Sequence, residues 1–421
     1  MAIAELPEVQ TPVDEIDLSD FVLWSQPDAM REAVFRKLRT EKPVSFHPEP
    51  EFGNIPAGPG YWALTTYDDV TFASRHPDLF CSGQGSNIGD MPTEIAELFG
   101  SMINMDSPKH TKLRLLVNKG FTPRMVARIE DYVHDVAREI VRDIKPKGEV
   151  DFVTEVAAPM PLRIICDMMG IPRSDNEFVF DKTNHILGGL DEEYNSSVED
   201  IFNAGWALWE YAQALGTERL ANPQDDITTS LMQADVDGAR LTAAEFGSFF
   251  VLLVVAGNET TRNAIAHGLL ELSRNPDQRA ALLADPETVM PTAVEEIVRW
   301  ATPVIHFRRT ATEDVELPSG NGTIKAGEKV VLFYGSANRD ERFWDDPYLF
   351  DVRRTPNEHV GFGGGGPHFC LGANLARREI RVMFEELFRE LPDIEASGEP
   401  AMLQSNFIHG IKHLTATFTA R

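Results

Sequence analysis

The segment from Thr242 to Ser273 constrains the fold most strongly, because it predicts one long buried helix. Thr242 and Glu245 have the spacing of a capping box, and Asn275-Pro276 marks the end of the pattern. At about 1.5 Å per residue the helix would be roughly 48 Å long, enough to cross a domain. Its first half, FFVLLVVAG, is apolar on every face and therefore has to be buried. The rest of the chain must pack around it.

Polar residues interrupt this helix in its middle, where the sequence reads AGNETT from Ala256 to Thr261. Threonine hydroxyls compete for the carbonyls one turn back, so a loosened turn is expected here. One interpretation is a mild bend in a core helix. The other is a widened turn beside a reaction centre, where the Glu259 carboxylate and the Thr260 hydroxyl pass protons.

A second unusual segment, FGGGGPHFCLG, runs from Phe362 to Gly372 and leads directly into an amphipathic helical pattern. Four consecutive glycines permit backbone conformations and close approaches that side chains would prevent. Cys370 stands at the mouth of the helix, where free N–H groups and the helix dipole favour a thiolate.

Several functions are compatible with such a loop. A glycine-rich loop before a helix is more often a phosphate cradle, and a lone cysteine is more often part of a core. The phosphate motifs are absent, since Gly366 is followed by Pro367 and His368 without Lys-Ser/Thr. A zinc site needs about four ligands at short spacing, whereas Cys81 and Cys166 are isolated. A haem-thiolate site is a further hypothesis, and the loop alone does not decide between it and an inert core cysteine.

Net charge, cysteine count and the length of apolar runs limit which partners and which cellular compartment are expected. The net charge of −27 argues against nucleic acid or an anionic membrane as main partner. Three cysteines are too few for a disulfide framework and fit a reducing cytoplasm. The acidic N-terminus lacks the layout of a signal peptide. The most apolar run, Phe249 to Ala256, is far shorter than the ~20 residues that span a bilayer. We therefore expect a cytoplasmic protein without a membrane anchor.

The patterns predict a mainly α protein with a minor β region, in one large domain over 1–421, since no flexible linker interrupts it. A mixed, β-containing part is expected over about 1–105 and a mostly helical part over about 106–421. The predicted strands are YWALTTY, the hairpin of ATEDVEL with TIKAGEKVVLFYG, and the tail IKHLTATFTA. A polar loop is predicted from Asp225 to Gly238.

Glu296 and Arg299 are three residues apart in TAVEEIVRW and therefore share one helix face. If exposed, such a pair contributes only about 0.2–0.5 kcal/mol, whereas loss of one partner of a buried pair costs about 3–5 kcal/mol. From the residues alone we interpret it as a surface pair.

In this order along the chain, the segments resemble those of the cytochrome P450 monooxygenases, from about Asp106 to His413. The resemblance implies that family's fold and a haem b cofactor whose iron takes the Cys370 thiolate as axial ligand. It also implies contacts to the macrocycle from the cysteine loop and the central helix, by Phe362, Gly364, Gly372 and Ala256. Four basic side chains match positions that bind haem propionates: His110, Arg114, Arg309 and His359.

The same resemblance assigns roles to the polar residues. AGNETT is similar to the family's oxygen-activation segment, so Thr260 and Glu259 are implied as the catalytic pair, with O2 as co-substrate. Glu296, Arg299 and Arg354 are similar to the family's buried structural network, which differs from the surface interpretation above. Haem with a thiolate ligand supplies the oxygen chemistry.

One departure points to a subgroup. Phe362 lies eight residues before Cys370, where the family usually has seven, so the glycine run carries one extra residue. This longer loop, AGNETTRNAI and SNFIHGIKHL resemble the actinobacterial subgroup that oxidises methyl-branched lipids and sterols. The resemblance implies an apolar lipid substrate oxidised at or near its chain terminus. The implied pocket comprises the loop at 87–105 and five further positions: Val255, Ala256, Val304, Phe307 and Phe407.

Electrons have to come from another protein, because no flavin or dinucleotide fingerprint is present. The resemblance implies a ferredoxin with its NAD(P)H-dependent reductase, and a monomeric enzyme. Arg377, Arg378 and Arg381 form either a solvated helix face or a dock for an acidic ferredoxin. The alternatives are a peroxide-driven peroxygenase, against which the Thr260–Glu259 pair argues, a non-catalytic haem-binding protein, and a zinc-binding structural protein.

Overall fold

The computed structural model describes residues 6–51, 56–90, 101–120, 123–188, 191–194, 197–235, 238, 240–320 and 322–421. The chain packs as two compact units. The first comprises Met1–Met91, His267–Ala373 and Gln404–Gly410, and the second comprises Pro92–Ala266, Asn374–Leu403 and Ile411–Arg421. The predicted single domain over 1–421, with a change of character near residue 105, stays a prediction.

The helices, in chain order, are α1 (Phe21–Trp24), α2 (Asp28–Glu41), α3 (Tyr67–Arg75), α4 (Lys109–Gly120), α5 (Pro123–Ile144), α6 (Pro159–Met169), α7 (Asn176–Leu187), α8 (Val198–Ala221), α9 (Ile227–Gln233), α10 (Ala243–Arg274), α11 (Pro276–Ala284), α12 (Pro286–Ala301), α13 (Tyr334–Ala337) and α14 (Ala373–Glu390). A π-helical turn precedes α6 at Val153–Ala157. Within the part of the chain that the structure describes, no helix is long and apolar enough to cross a membrane.

The strands, in chain order, are β1 (Val44–His47), β2 (Tyr61–Leu64), β3 (Phe80–Cys81), β4 (Glu149–Asp151), β5 (His306–Ala311), β6 (Val315–Glu316), β7 (Thr323–Ile324), β8 (Lys329–Phe333), β9 (Glu395–Ala396), β10 (Ala401–Met402), β11 (Ile411–His413) and β12 (Thr415–Thr417). The first unit holds a sheet in the order β1-β2-β8-β5-β3, in which only β2 and β8 run parallel, and the β6–β7 hairpin. The second unit holds the β4-β12-β9 sheet and the β10–β11 pair. The predicted mainly α fold with a minor β region is confirmed.

Two local predictions fail because polar side chains cap helices there. The strand predicted over YWALTTY ends at Leu64, since the Thr66 hydroxyl accepts a hydrogen bond from the Asp69 N–H and starts α3. The predicted loop from Asp225 contains α9, which Asp226 caps by accepting from the Thr229 N–H at 2.7 Å.

Helix α10 matches the prediction within one residue at each end. The capping box is present, because the Thr242 N–H donates to Glu245 Oε2 at 2.9 Å and the Glu245 N–H to Thr242 Oγ1 at 3.1 Å. The widened turn is not observed, since the helix is α throughout Ala243–Arg274. The Thr260 hydroxyl does donate to the Ala256 carbonyl at 2.7 Å, one turn back, without opening the helix.

Candidate active site

The cysteine loop packs against α3 so closely that it requires its glycines. Gly363, Gly365 and Gly366 have φ of 97°, 93° and 75°, which favours glycine. A Cβ on Gly364 would lie 2.6 Å from Ser74 Oγ, and one on Gly366 would lie 2.2 Å from the Ser74 carbonyl oxygen. The unusual run of glycines is thus explained by contact with one helix turn.

The loop ends by presenting Cys370 just before α14. The Cys370 N–H donates to the Phe362 carbonyl at 3.0 Å and so closes the loop. Cys370 is exposed, whereas Cys166 is buried and Cys81 partly buried. Burial raises the pKa of Cys166 to about 12, with smaller contributions from Asp167 and Asp175, so that thiol stays protonated. Cys370 is therefore the cysteine best placed to ligate a metal.

The metal that Cys370 could hold is restricted by its surroundings. Over the described ranges, no group of three or more His, Cys, Asp and Glu side chains could bind a metal ion. A metal ligated by Cys370 therefore has to bring further ligands of its own, as the iron of a haem does. The zinc-site alternative, which needs several protein ligands, gains no support.

Arg309 supplies an independent test of whether haem fits this protein. The Arg309 side chain is buried, with the residue 4% exposed, and its Nη1 donates to the Arg308 carbonyl at 2.7 Å. No carboxylate of the described residues forms an ion pair with it. Burial of a cation without a counter-ion is costly, so an anionic group bound here, such as a haem propionate, fits the charge of the site.

His359 makes hydrogen-bond contacts within the protein through its imidazole ring. Its Nε2 lies 3.0 Å from Glu295 Oε2, and its Nδ1 accepts from the Gly361 N–H at 3.1 Å. Both ring nitrogens are therefore engaged within the protein, and the binding of a propionate by His359 stays a prediction. His368, two residues before Cys370, is a second half-buried histidine near the cysteine.

The other predicted haem residues keep their assignments as predictions. His110 and Arg114 are four apart on α4 and so share a helix face. Phe362 is half-buried, with its ring centroid 5.7 Å from that of His359. A Cβ on Gly372 would meet no described atom, so packing within the protein does not require this glycine.

Helix α10 carries a partly exposed stripe at the predicted reaction centre. Leu252, Ala256 and Thr260 follow one another at four-residue spacing and are not fully buried, and Val255 is partly exposed beside them. By contrast, residues 261–272 are buried throughout. Ala256 and Thr260 thus border open space, as a reaction centre at this helix requires.

Glu259 is buried and held by neighbours that the sequence reasoning missed. Its Oε1 accepts from Arg262 and, at 3.1 Å, from Asn263 Nδ2, while Arg262 Nη1 donates to Asn184 Oδ1 at 3.1 Å. Glu259 Oε2 is buried, with no hydrogen-bond partner among the described side chains. The three-residue spacing of Glu259 and Arg262 on a predicted helix was the available signal.

Glu296 and Arg299 form a buried network, so the surface interpretation was wrong. Both side chains are 0% exposed, and Arg299 Nε and Nη2 donate to the two Glu296 oxygens at 2.7 and 2.8 Å. Arg354 Nε donates to Glu296 Oε2 at 3.2 Å, as the resemblance implied. Arg299 Nη1 also donates to the carbonyls of Asn338 and Pro347. The network fixes the segment between α13 and the cysteine loop.

Three predicted pocket residues come together in the first unit. The Phe307 and Phe407 ring centroids lie 5.6 Å apart, and Val304 forms a bridge with Ile408. All three predicted side chains are apolar and partly exposed: Val304, Phe307 and Phe407. Of the predicted loop, residues 91–100 lie outside the described residues. A separate cavity of about 120 Å³ in this unit is lined by charged groups, including Asp28, and by none of these three.

Comparison with known proteins decides the family. The sequence model described as Cytochrome P450 matches residues 91–392. The chain belongs to the cytochrome P450 family. The fold and the cysteine loop agree with membership of this family of monooxygenases. The family implies a haem whose iron is ligated by a cysteine thiolate.

The relatives of this P450 resemble it over nearly their whole length. It is 52% identical over 98% of its chain to a methyl-branched lipid omega-hydroxylase of Mycobacterium tuberculosis, covering 97% of that protein. It is 42% identical over 91% of its chain to a steroid C26-monooxygenase of Mycolicibacterium smegmatis, covering 89% of it. A Mycobacterium marinum cytochrome P450 solved with pseudoionone superposes with a TM-score of 0.92, at 46% identity over 97% of this chain and 99% of that one. The predicted subgroup is confirmed.

The arginine cluster after the cysteine loop is less basic than its sequence indicates. Arg381 Nε donates to Glu385 at 2.6 Å, and Arg378 Nη2 lies 3.5 Å from His134 Nε2. All three arginines are partly buried. Part of the positive charge is thus neutralised within the P450, and its docking role stays a prediction.

Proposed function

We propose that this P450 hydroxylates an apolar, chain-like lipid at or near its chain terminus. The observation that carries the proposal is the apolar group of Val304, Phe307 and Phe407, whose partly exposed side chains offer area to a hydrocarbon chain. Similarity to the methyl-branched lipid omega-hydroxylase and to the steroid C26-monooxygenase supports the proposal. A methyl-branched fatty acid or a sterol side chain is the leading substrate class.

We propose that haem is held by the Cys370 thiolate, with Arg309, His110, Arg114 and His368 near its carboxylates. With a thiolate ligand, haem supplies oxygen activation and insertion of one oxygen atom into a C–H bond. Arg309 would gain the anionic partner that the protein itself does not provide. A ferredoxin with its NAD(P)H-dependent reductase supplies electrons, and a cytoplasmic location is consistent with three free cysteines.

The protein's own contribution to the reaction is proton delivery along helix α10. The Thr260 hydroxyl donates a hydrogen bond to the Ala256 carbonyl. The lone pairs of the Thr260 oxygen therefore stay available to orient a water on the exposed stripe. Glu259 can accept and release a proton once it parts from Arg262. The apolar residues around Val255 keep other water away and so limit side reactions.

Thr260→Ala should bind haem and substrate almost normally yet release more reducing equivalents as peroxide. The physical reason is loss of the oriented hydroxyl, since positioned proton transfer contributes about 10²–10⁴-fold. Product formed per NAD(P)H oxidised, measured with a surrogate ferredoxin and reductase, should fall by about tenfold or more. Thr261→Ala is the matched control, because Thr261 is buried on the adjacent position. Equal coupling in Thr260→Ala and wild type would exclude the relay.

A titration of the ferric protein tests the substrate class. Branched fatty acids, terpenoids, sterols and small polar aromatics are compared by the low-to-high-spin shift. Each buried CH₂ contributes about 0.8 kcal/mol, or roughly fourfold in Kd, so affinity should rise with chain length until the pocket is full. A shift from small polar compounds only, with none from any lipid, would overturn the proposal.

A further inference from the structure

One buried arginine, Arg308, holds a single loop at several points. Its side chain is 2% exposed. Its Nη1 lies 2.6 Å from Asp90 Oδ1, and its backbone N–H donates to the Ser86 carbonyl at 2.8 Å. Its guanidinium also donates to the carbonyls of three further residues of the loop, at 2.7 to 3.3 Å: Gln84, Asn87 and Ile88. The loop therefore wraps around one cation.

Lys329 reinforces this anchor from the neighbouring strand. Its Nζ lies 2.8 Å from Asp90 Oδ2 and 2.6 Å from Glu49 Oε2, and both Lys329 and Glu49 are buried. Arg308 on β5 is paired with Val331 on β8, and Thr310 with Lys329, so the two cations lie on one face of the sheet. Burial raises the pKa of the Asp90 carboxyl, but the hydrogen bonds from Lys329 and Arg308 outweigh it and lower the pKa overall.

The anchored loop is connected to the predicted pocket residues through Ile305 and through Arg308 itself, which follows Phe307 in β5. Ile88 packs against a hydrophobic cluster that includes Ile305, the residue between the start of β5 and Val304. The Ile305 N–H donates to the Phe407 carbonyl at 2.8 Å, which ties the same place to the tail. A shift of the loop at Ile88 would therefore be transmitted to the apolar residues proposed to contact the lipid.

We propose that Arg308, supported by Lys329 and Asp90, is a positioning residue that selects the carbon to be oxidised; this inference rests on the proposed function. A methyl C–H bond is stronger than the tertiary C–H next to it in a branched chain. Oxidation of the terminus therefore has to be imposed by geometry, which requires pocket walls held to within about 0.5 Å. A planar guanidinium with five donors can hold several carbonyls at once, and a lysine ammonium cannot hold them in that plane.

The test compares two variants. Arg308→Lys keeps the positive charge but loses the planar guanidinium with its several donors. Asp90→Asn removes the negative charge that pairs with both Arg308 and Lys329, at a residue that is half-exposed. Lys325→Met is the matched control, because Lys325 pairs with Asp314 at 2.8 Å in the same region but is exposed. The probe is phytanic acid, oxidised with a surrogate ferredoxin system. Two quantities are measured: the ratio of terminal to tertiary alcohol, and hydrogen–deuterium exchange of peptides that cover residues 82–90.

In Arg308→Lys and Asp90→Asn, the terminal-to-tertiary ratio should fall by about tenfold, because a displacement near 1 Å has large effects on reactivity. Exchange in the loop should rise, with haem content unchanged, and Lys325→Met should match wild type in both quantities. An unchanged product ratio in both variants overturns the inference, as does an equal change in Lys325→Met. If wild type oxidises no lipid, the proposed substrate class fails, and terminal selectivity fails with it. If loop exchange is unchanged in Arg308→Lys and Asp90→Asn, the anchoring itself is refuted.

Discussion

Replacing Arg299 with leucine is expected to remove about 3–5 kcal/mol of folding free energy, because the change leaves the buried Glu296 carboxylate without its closest cation. The two carbonyls that Arg299 Nη1 holds, those of Asn338 and Pro347, lose their donor as well. Domains have only about 5–15 kcal/mol of stability in total, so little soluble holoprotein should be obtained.

The measurement is the yield of soluble, haem-loaded protein together with the urea midpoint of unfolding. Glu296→Gln should behave similarly, since it leaves two guanidinium groups, those of Arg299 and Arg354, facing a neutral amide. Arg36→Leu is the control, because Arg36 is exposed and pairs only loosely with Glu341 at 3.6 Å. An Arg299→Leu protein with the yield and midpoint of Arg36→Leu would show that the network contributes nothing to the fold.

Cys370→Ser is expected to abolish lipid hydroxylation while leaving the fold intact, because a serine hydroxyl does not supply the electron donation of a thiolate. The residue is exposed and its side chain is not needed for core packing. Product should fall to background under conditions in which wild type is active, with little change in the unfolding midpoint. Cys81→Ser, at a partly buried cysteine, should retain product formation. Retained turnover in Cys370→Ser would contradict the ligand assignment.

Structural features that depend on neighbouring residues could be predicted well from the sequence. The capping box at Thr242 and the Asn275-Pro276 stop placed α10, because these interactions are made within one helix turn. The glycine run before Cys370 predicted close backbone contact, and Ser74 is the contact. Local chemistry of this kind does not depend on which distant segments come together.

Features decided by distant segments could not be predicted in the same way. Burial of the Glu296–Arg299 pair depends on carbonyls more than thirty residues away, such as that of Asn338. The contact between His359 Nε2 and Glu295 on α12 was likewise not predicted, because the two residues are far apart in the chain. The anchor around Arg308 combines strands and a loop far apart in the chain, so no local pattern predicted it.

The absorption spectrum of the reduced, carbon-monoxide-bound protein tests the central claim most directly. Thiolate and imidazole differ in electron donation to haem iron, so wild type should show the red-shifted band of thiolate-ligated haem, and Cys370→His should lack it. Cys81→Ser and Cys166→Ser should keep the band. Its persistence in Cys370→His, or its loss in either of the other two variants with Cys370 intact, would contradict the assignment of Cys370 as the iron ligand.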